Sequence, residues 1–298
     1  MKIAVLAKQV PDTRNVGKDA MKDDGTVNRA ALPAIFNPED LHALEAALRL
    51  KEQTPETEIV LLTMGPVRAA DILREGLFRG ADGGVLLTDR KFAGADTLAT
   101  SYAIARAMEK LNPDLIIAGR QAIDGDTAQV GPQVAEKLGM AQITYAEEIV
   151  ACNGAEITVK RRLEHGVETV KGRLPLLVTV NASAPSCRPR NIRQTLKFKH
   201  AKTKSEIKAL EEQAEKSQAA EDQEYLDFLH SRPFLNFSEW SADDIGGEET
   251  RFGLKGSPTK VKKIENVVFT AKESKRLSDS DADIEALVAE LAANHTLG

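Results

Sequence analysis

Two cysteines, Cys152 and Cys187, are the only thiols in 298 residues. That excludes a disulfide framework and a cysteine-rich metal site, and it suits a chain whose thiols stay reduced. Aromatic residues are also scarce, at 4% with a single Trp, which leaves few stacking platforms for single-stranded nucleic acid. A formal charge of -5 supplies no general attraction for it either. No apolar run approaches the roughly 20 residues that span a bilayer. The opening "MKIAVLAKQVPD" enters a strand at once, without the longer apolar region and small-residue cleavage site of a signal peptide. A soluble, cytoplasmic protein that neither binds nucleic acid nor spans a membrane is expected. Neither a Walker A motif nor a GxGxxG fingerprint occurs, and Ser, Cys and His fall in no nucleophile-base spacing.

What the chain does have is alternation. "KIAVLA", "EIVLLTM", "GGVLLT" and "DLIIAG" are short runs of consecutive apolar residues, the pattern of strands buried on both faces. Helical patterns starting near Pro38, Pro66 and Thr97 separate them. This predicts an α/β fold with a doubly wound, mainly parallel, Rossmann-like sheet. Residues 142–182 change to extended segments with turns near Asn153-Gly154 and His165-Gly166, as added antiparallel strands would. The expected organisation is a nucleotide-binding α/β domain over 1–200, an insertion over 201–250 that is helical and then aromatic-rich, and a C-terminal arm over 251–298. The arm ends in a helix with an Ile284, Leu287, Val288 and Leu291 stripe, preceded by Ser280 as a cap.

In doubly wound sheets ligands sit at the carboxyl ends of the strands, so the loops there carry the chemistry. The most distinctive is "AGRQAIDGDTAQVGP", residues 118–132. Helical spacing begins around Thr127, runs through Val130, Val134 and Leu138, and closes at Gly139. A strand that opens through such a loop onto a helix presents free backbone N–H groups and a positive dipole end, which suits a phosphate or diphosphate. Two carboxylates would repel that anion, so Asp124 or Asp126 reads as a helix cap or as an acceptor for ribose hydroxyls. Gly125 is expected to supply backbone angles closed to other residues and room for a ligand. At this point a capped turn without a ligand remains the alternative.

Other loops add candidates. After the first strand a turn-rich excursion from Lys8 to about Ala31 has room for a hairpin. In "FNPEDLHALEAALRLKE", Asn37 is a plausible N-cap and Pro38 suits the first helical position, with Leu41, Leu44 and Leu48 as the buried stripe. "TMGP" turns at Gly65-Pro66, and "TDRKFAGADTLATS" places Gly94, Asp96, Thr97 and Thr100 at a helix start. Lys8 and Arg120 are either cations that offset a diphosphate or plain surface residues. His42 and Glu45 lie one turn apart, but no further metal-ligand set accompanies them, and a solvated helix face is the preferred reading.

The segment "CRPRNIRQTLKFKHAKTK" interleaves basic residues with Ile192, Leu196 and Phe198. Docking on a protein fits it better than nucleic acid, since no nucleic-acid motif accompanies it. From Ser205 to about Asp222 the composition is that of a polar-faced helix. Tyr225, Phe228, Phe234, Phe237 and Trp240 then gather much of the aromatic content, as residues that fold back onto a surface.

Taken together, "VLAKQVPDT", "NPEDLHALEAALRLKE", "TMGP", "FRGAD", "DRKFAGADTLATSYA", "AGRQAIDGDTAQVGP" and "GLKGSPTKV" resemble the beta subunit of electron-transfer flavoproteins. The likeness runs in order from residue 1 to about 200 and returns from about 252. It implies a heterodimer whose alpha subunit holds FAD, with this chain holding a nucleotide. The residues that the resemblance places there are Ala7, Asn37, Pro38, Glu39, Asp40, Met64, Gly119, Arg120, Gln121, Ala122, Ile123, Asp124, Gly125, Asp126, Thr127, Ala128, Gln129 and Val130.

Ordinary members carry AMP at this site, with three aspartates where this chain has Asp124, Gly125 and Asp126. The forms "DGDTAQVGP" and "GADTLATS" are similar instead to the flavin-based electron-bifurcating members, in which the beta subunit binds a second FAD. There Asp96, Thr97 and Thr100 would hydrogen-bond the flavin ring. The implied electron path starts at NADH. One electron goes to a low-potential acceptor such as ferredoxin or flavodoxin, and the other goes through the alpha-subunit FAD to a flavin-dependent dehydrogenase. The flavin, rather than a side chain, does that chemistry. The basic segment occupies the place of the family's dehydrogenase-recognition loop, with Ile192, Leu196 and Phe198 all eligible as its hydrophobic contact. Residues 205–248 depart from the family in length. The alternatives are a beta subunit with structural AMP and, from another class, a non-redox nucleotide-binding regulatory domain.

Overall fold

A computed structural model describes residues 1–12, 33–259 and 274–294. Unbroken apolar sequence makes β1 (Lys2–Leu6), which lies between two strands of the same kind and needs no polar face. β2 (Gln9–Pro11) and β3 (Ala34–Phe36) pair antiparallel as a small separate ribbon, Gln9 opposite Phe36. The hairpin expected between them falls on residues 13–32, outside the described residues. Strands and helices then alternate through α1 (Pro38–Gln53), β4 (Glu58–Met64), α2 (Ala70–Arg79), β5 (Gly83–Leu87), α3 (Thr97–Leu111), β6 (Leu115–Gly119) and α4 (Val130–Leu138). β7 (Ala141–Asn153), β8 (Glu156–Leu163) and β9 (Gly166–Arg173) form the expected antiparallel meander, and β10 (Leu176–Val180) returns to the parallel sheet. The chain continues with α5 (Ile192–Phe198), β11 (Lys202–Thr203), α6 (Lys204–Ser217), α7 (Ala220–His230), β12 (Asn236–Trp240), α8 (Ala242–Ile245) and α9 (Asp281–Ala293).

The sheet order is β11-β12-β5-β4-β1-β6-β10-β7-β8-β9. Every pairing from β11 across to β7 is parallel, and β8 and β9 add the antiparallel edge. This is the doubly wound α/β architecture that the alternation predicts. From β1 the chain winds outward through β4 and β5, and from β6 it winds the other way through β10. The crevice between β1 and β6 is therefore the topological switch point, where such sheets bind ligands.

Alternate strand residues feed two cores. Leu61 joins Leu44, Leu73 and Ile117 under α1 and α2, while Leu62 joins Met108, Ile116 and Val134 under α3 and α4. Burying each leucine contributes about 1.5–3 kcal/mol. Packing is tight: a Cβ added to Gly76 of α2 would lie 2.7 Å from the Leu61 methyls. Leu61→Ala would open that contact at a cost of about 2–5 kcal/mol.

Three local expectations are corrected. α4 starts at Val130 rather than near Thr127, because Asp126 (φ 49) and Ala128 (φ 52) take left-handed angles that a right-handed helix cannot contain. The polar helix expected to run to Asp222 breaks at Gln218 (φ 52), so α6 and α7 are separate. α6 is opened by a reciprocal cap in which Glu206 N donates to Thr203 Oγ1 (3.2 Å) and Thr203 N to Glu206 Oε2 (2.8 Å). Third, the late aromatics do not all lie on a surface, because β11 and β12 join the sheet. β12 pairs Ser238 with Val85 of β5, and Phe237 fills a notch over Gly84, where a Cβ would lie 2.9 Å from the ring. Of the late aromatics, Phe237 is core, Trp240 packs against the core and Phe234 is exposed. In α9 Ser280 caps the helix as expected, and none of its residues is buried. Among the described residues no helix is long and apolar enough to cross a membrane.

Candidate functional site

Three polar side chains from one turn organise the switch point. Pro38 begins α1, and Asn37 stands at the N-cap position, but the Asn37 side chain makes no cap hydrogen bond. It reaches across instead: Nδ2 donates to Gln121 O (2.9 Å) and Oδ1 accepts from Ile123 N (3.2 Å). Glu39 accepts from Gln121 N (3.0 Å) and from the Arg120 guanidinium (2.9 Å). Asp40 bridges the two strands of the crevice, with Oδ2 accepting from Lys8 N (2.8 Å) and Oδ1 from Gly119 N (3.2 Å). All three residues are buried. Their polar atoms are thus held by protein groups, and what they do is fix the loop after β6.

The electrostatics follow from that burial. Desolvation pushes the Asp40 carboxyl up to about 7, against the hydrogen bonds from Asn37, Lys8 and Gly119 and with the Glu39 charge adding to the rise. The Glu39 carboxylate raises Arg120 above its ordinary range, with burial opposing. Arg120 also lies 5.8 Å from the ring of Tyr145, a residue with φ 59. Such an angle is an outlier for an aromatic residue, and it occurs where the register of β7 shifts against β10.

The loop itself is a tight turn followed by a run of N–H groups that is exposed at Thr127 and Gln129 and buried at Gly131. Gly125 N and Asp126 N both donate to Ala122 O (3.3 and 2.9 Å). Asp124 pairs with Lys8 Nζ (2.7 Å), and Asp126 accepts from Gln121 Nε2 (2.9 Å). Neither aspartate caps α4, whose N-cap position is Gln129 without a side-chain cap bond. The N–H groups of Thr127, Ala128, Gln129, Val130 and Gly131 have no hydrogen-bond acceptor among the described residues. Free N–H groups beside left-handed residues, here Asp126 and Ala128, at the positive end of a helix attract anions. Gly125 is not among the left-handed residues, so the expectation that it supplies unusual backbone angles is corrected. What it leaves is space, since nothing lies within 4 Å of the position of its missing Cβ.

The remaining candidates fall around this centre. Ala7 is buried just past β1, with its N–H on Leu62 O (2.9 Å), and Met64 is half-buried at the end of β4. Asp96 is occupied as the cap of α3. It accepts from Ala99 N (3.0 Å) and Thr259 N (3.2 Å), and although burial works the other way, these bonds hold it below the usual carboxylate range. Thr97 Oγ1 donates to Gln129 Oε1 (2.8 Å), and one turn on Ser101 Oγ donates to Gln133 Oε1 (2.8 Å), which ties α3 to α4. Thr100 alone of these three carries no side-chain hydrogen bond among the described residues. Sequence reasoning missed Tyr145, Ser101 and Gln133. The matched four-residue spacings of Thr97/Ser101 and Gln129/Gln133 were the available signal for the last two.

In the basic segment Asn191 caps α5 by accepting from Arg193 N (2.9 Å) and Gln194 N (3.2 Å). Ile192 is 79% and Leu196 61% exposed, whereas Phe198 is 4% exposed and belongs to the core. Phe198 is therefore removed from the residues that present an apolar contact. His42 Nδ1 lies 2.9 Å from Pro185 O, and Glu45 pairs with Arg188 (2.9 Å) and Arg49 (3.0 Å), so both are tied to structural neighbours.

Comparison with known proteins follows this geometry. Residues 24–216 match the family model described as "Electron transfer flavoprotein domain". The chain is similar to the electron transfer flavoprotein subunit beta of Megasphaera elsdenii, 44% identical over 271 residues that cover 89% of this chain and 87% of that protein. It is 39% identical over 300 residues to Protein FixA of Azorhizobium caulinodans, covering 98% and 94%. The caffeyl-CoA reductase-Etf complex subunit CarD of Acetobacterium woodii is 49% identical over 180 residues, covering 60% of this chain and 68% of that protein.

Proposed function

The chain belongs to the electron transfer flavoprotein family, as a member of the beta-subunit type, and from that premise we propose that it holds FAD at the switch point and works in an NADH-oxidising, electron-bifurcating heterodimer. The observation that carries this reading is the run of five N–H groups from Thr127 to Gly131 that have no acceptor among the described residues, beside the open flank of Gly125. The residues present fit an FAD: the amides match a diphosphate in number and sign, and the missing side chain at Gly125 leaves room for a ligand that continues past it. A third aspartate there would close that room and add a negative charge.

FAD, when bound, supplies the hydride and one-electron chemistry that no side chain here offers. The protein's part is placement. The Thr127 to Gly131 amides would hold the diphosphate, with Lys8 and Arg120 beside it in ion pairs with Asp124 and Glu39, and Thr100 would offer its hydroxyl to the ring. Asn37, Glu39 and Asp40 position the loop that would hold the nucleotide. With FAD held there, the flavin would take electrons from NADH and pass them on by two routes. One route leads to a low-potential acceptor such as ferredoxin or flavodoxin, and the other to the FAD of an alpha subunit and on to a flavin-dependent dehydrogenase docked on Ile192 and Leu196 of α5. The names of two relatives, the CarD subunit and the electron transfer subunit gamma of an acryloyl-CoA reductase, place those proteins in reductase complexes and support this setting, which is a cytoplasmic one.

The test is Gly125→Asp in the purified heterodimer. Crowding and like charge at the diphosphate should lower flavin content in this subunit while leaving the alpha-subunit FAD in place. Full flavin content together with unchanged NADH oxidation would refute the role given to Gly125.

A further inference from the structure

Of the aromatics in residues 220–240, Phe234 stands apart: it is 52% exposed, while its neighbour Leu235 is buried at 2% and fastens the turn to the core. The Phe234 ring meets Phe198 edge-on at 6.2 Å, and the Lys197 ammonium lies 4.7 Å from the Phe198 ring and 5.7 Å from that of Phe234. The turn at Pro233–Leu235 is thereby seated against the end of α5, whose outer face shows Ile192 and Leu196.

We propose that Phe234 completes the docking face of α5, and that this face fits a protein partner presenting an apolar hollow edged with carboxylates. The inference rests on the reading of α5 as the element that meets the dehydrogenase, and it names the chemistry of that meeting. Charge complementarity carries it. Arg193, Lys197 and Lys199 flank the apolar residues and have no carboxylate partner among the described residues, although the chain as a whole is negative by five charges. Cations left unpaired around exposed apolar side chains meet the opposite arrangement on a partner.

The face is also held in advance. Asn191 caps α5, Pro233 restricts the turn, and the Arg232 guanidinium stacks 4.1 Å over Phe228 while donating to its carbonyl at 3.1 Å. A side chain fixed before binding loses little freedom on docking, and a rigid aromatic is the kind of anchor that dominates interfaces.

The experiment measures binding of the intact heterodimer to the flavin-dependent dehydrogenase purified from the same cells, by anisotropy at several salt concentrations, for wild type and single variants. Phe234→Ala should raise Kd about tenfold, with melting temperature and dye reduction unchanged, and Phe234→Leu should recover most of the affinity. Lys197→Gln should weaken binding and flatten its salt dependence. An unchanged Kd for Phe234→Ala alongside a weakened Ile192→Ser overturns this inference and leaves α5 as the docking element. Unchanged Kd for Ile192→Ser and Leu196→Ser overturns the α5 reading itself, and no binding by the wild type overturns both. Binding of the same face to phosphatidylserine vesicles in place of the dehydrogenase overturns the assignment of a protein partner.

Discussion

Gly119 donates its backbone N–H to Asp40 across 3.2 Å, and a side chain at Gly119 would run into the same carboxylate. Its Cβ would also lie 2.7 Å from the carbonyl carbon of Glu39 and 2.8 Å from Asp40 N, which are backbone atoms that cannot swing aside. The first turn of α1 and the end of β6 are therefore in direct backbone contact at the switch point, and a glycine is what permits it.

Gly119→Ala should cost about 1–3 kcal/mol through overpacking and should weaken nucleotide binding, because the turn that holds residues 120–123 is pushed away. Gly125→Ala, in open space and outside the left-handed region, should range from neutral to about 1 kcal/mol more stable. Urea unfolding of the two variants side by side is the check. Equal effects would mean that the packing contrast between the two glycines is not what governs the loop.

Asp40 sets a pH dependence. Its folded value of about 7 lies above the ordinary 3.8, so the folded state holds this proton more tightly than the unfolded chain does. The resulting stability is fully present below about pH 4 and is lost as pH rises to about 7, on the order of 4 kcal/mol in total. Asp40→Asn cannot titrate. The stability of wild type minus that of Asp40→Asn should accordingly fall between pH 4 and 7 and level off above. A difference that stays flat, or rises, contradicts the burial-driven shift.

Phe237 tests whether residues 201–250 belong to the fold. The ring is buried over Gly84 on the strand that extends the sheet beyond β5. Phe237→Ala should destabilise the chain by about 3–5 kcal/mol, while Phe234→Ala should change stability by no more than about 0.5 kcal/mol. Replacing residues 207–247 with a linker should fail to give a stable protein, since it strips β12 from the sheet. Stable, flavin-loaded protein from that deletion would show the segment to be dispensable.

The sheet was legible in the sequence because buried parallel strands are nearly pure apolar runs, as in Leu115 to Ile117, and Gly139 closed α4 as its position suggested. The site was legible as loops, since the ends of those strands had to carry it. The roles within the loops were less so. Asn37 looked like a cap because Asn before Pro usually is one; its actual bonds, to Gln121 and Ile123, are made across the fold and leave no local signature. Gly125 looked like an angle-giver, yet the left-handed angles fell on Asp126 and Ala128. Phe198 could not be sorted from Ile192 and Leu196 without knowing that Phe234 and the core cover it.

The central claim is that this subunit holds a flavin of its own, and the most direct measurement is the nucleotide content of the purified alpha-beta heterodimer after denaturation. The account predicts two FAD and no AMP released per heterodimer. One FAD with one AMP would contradict it.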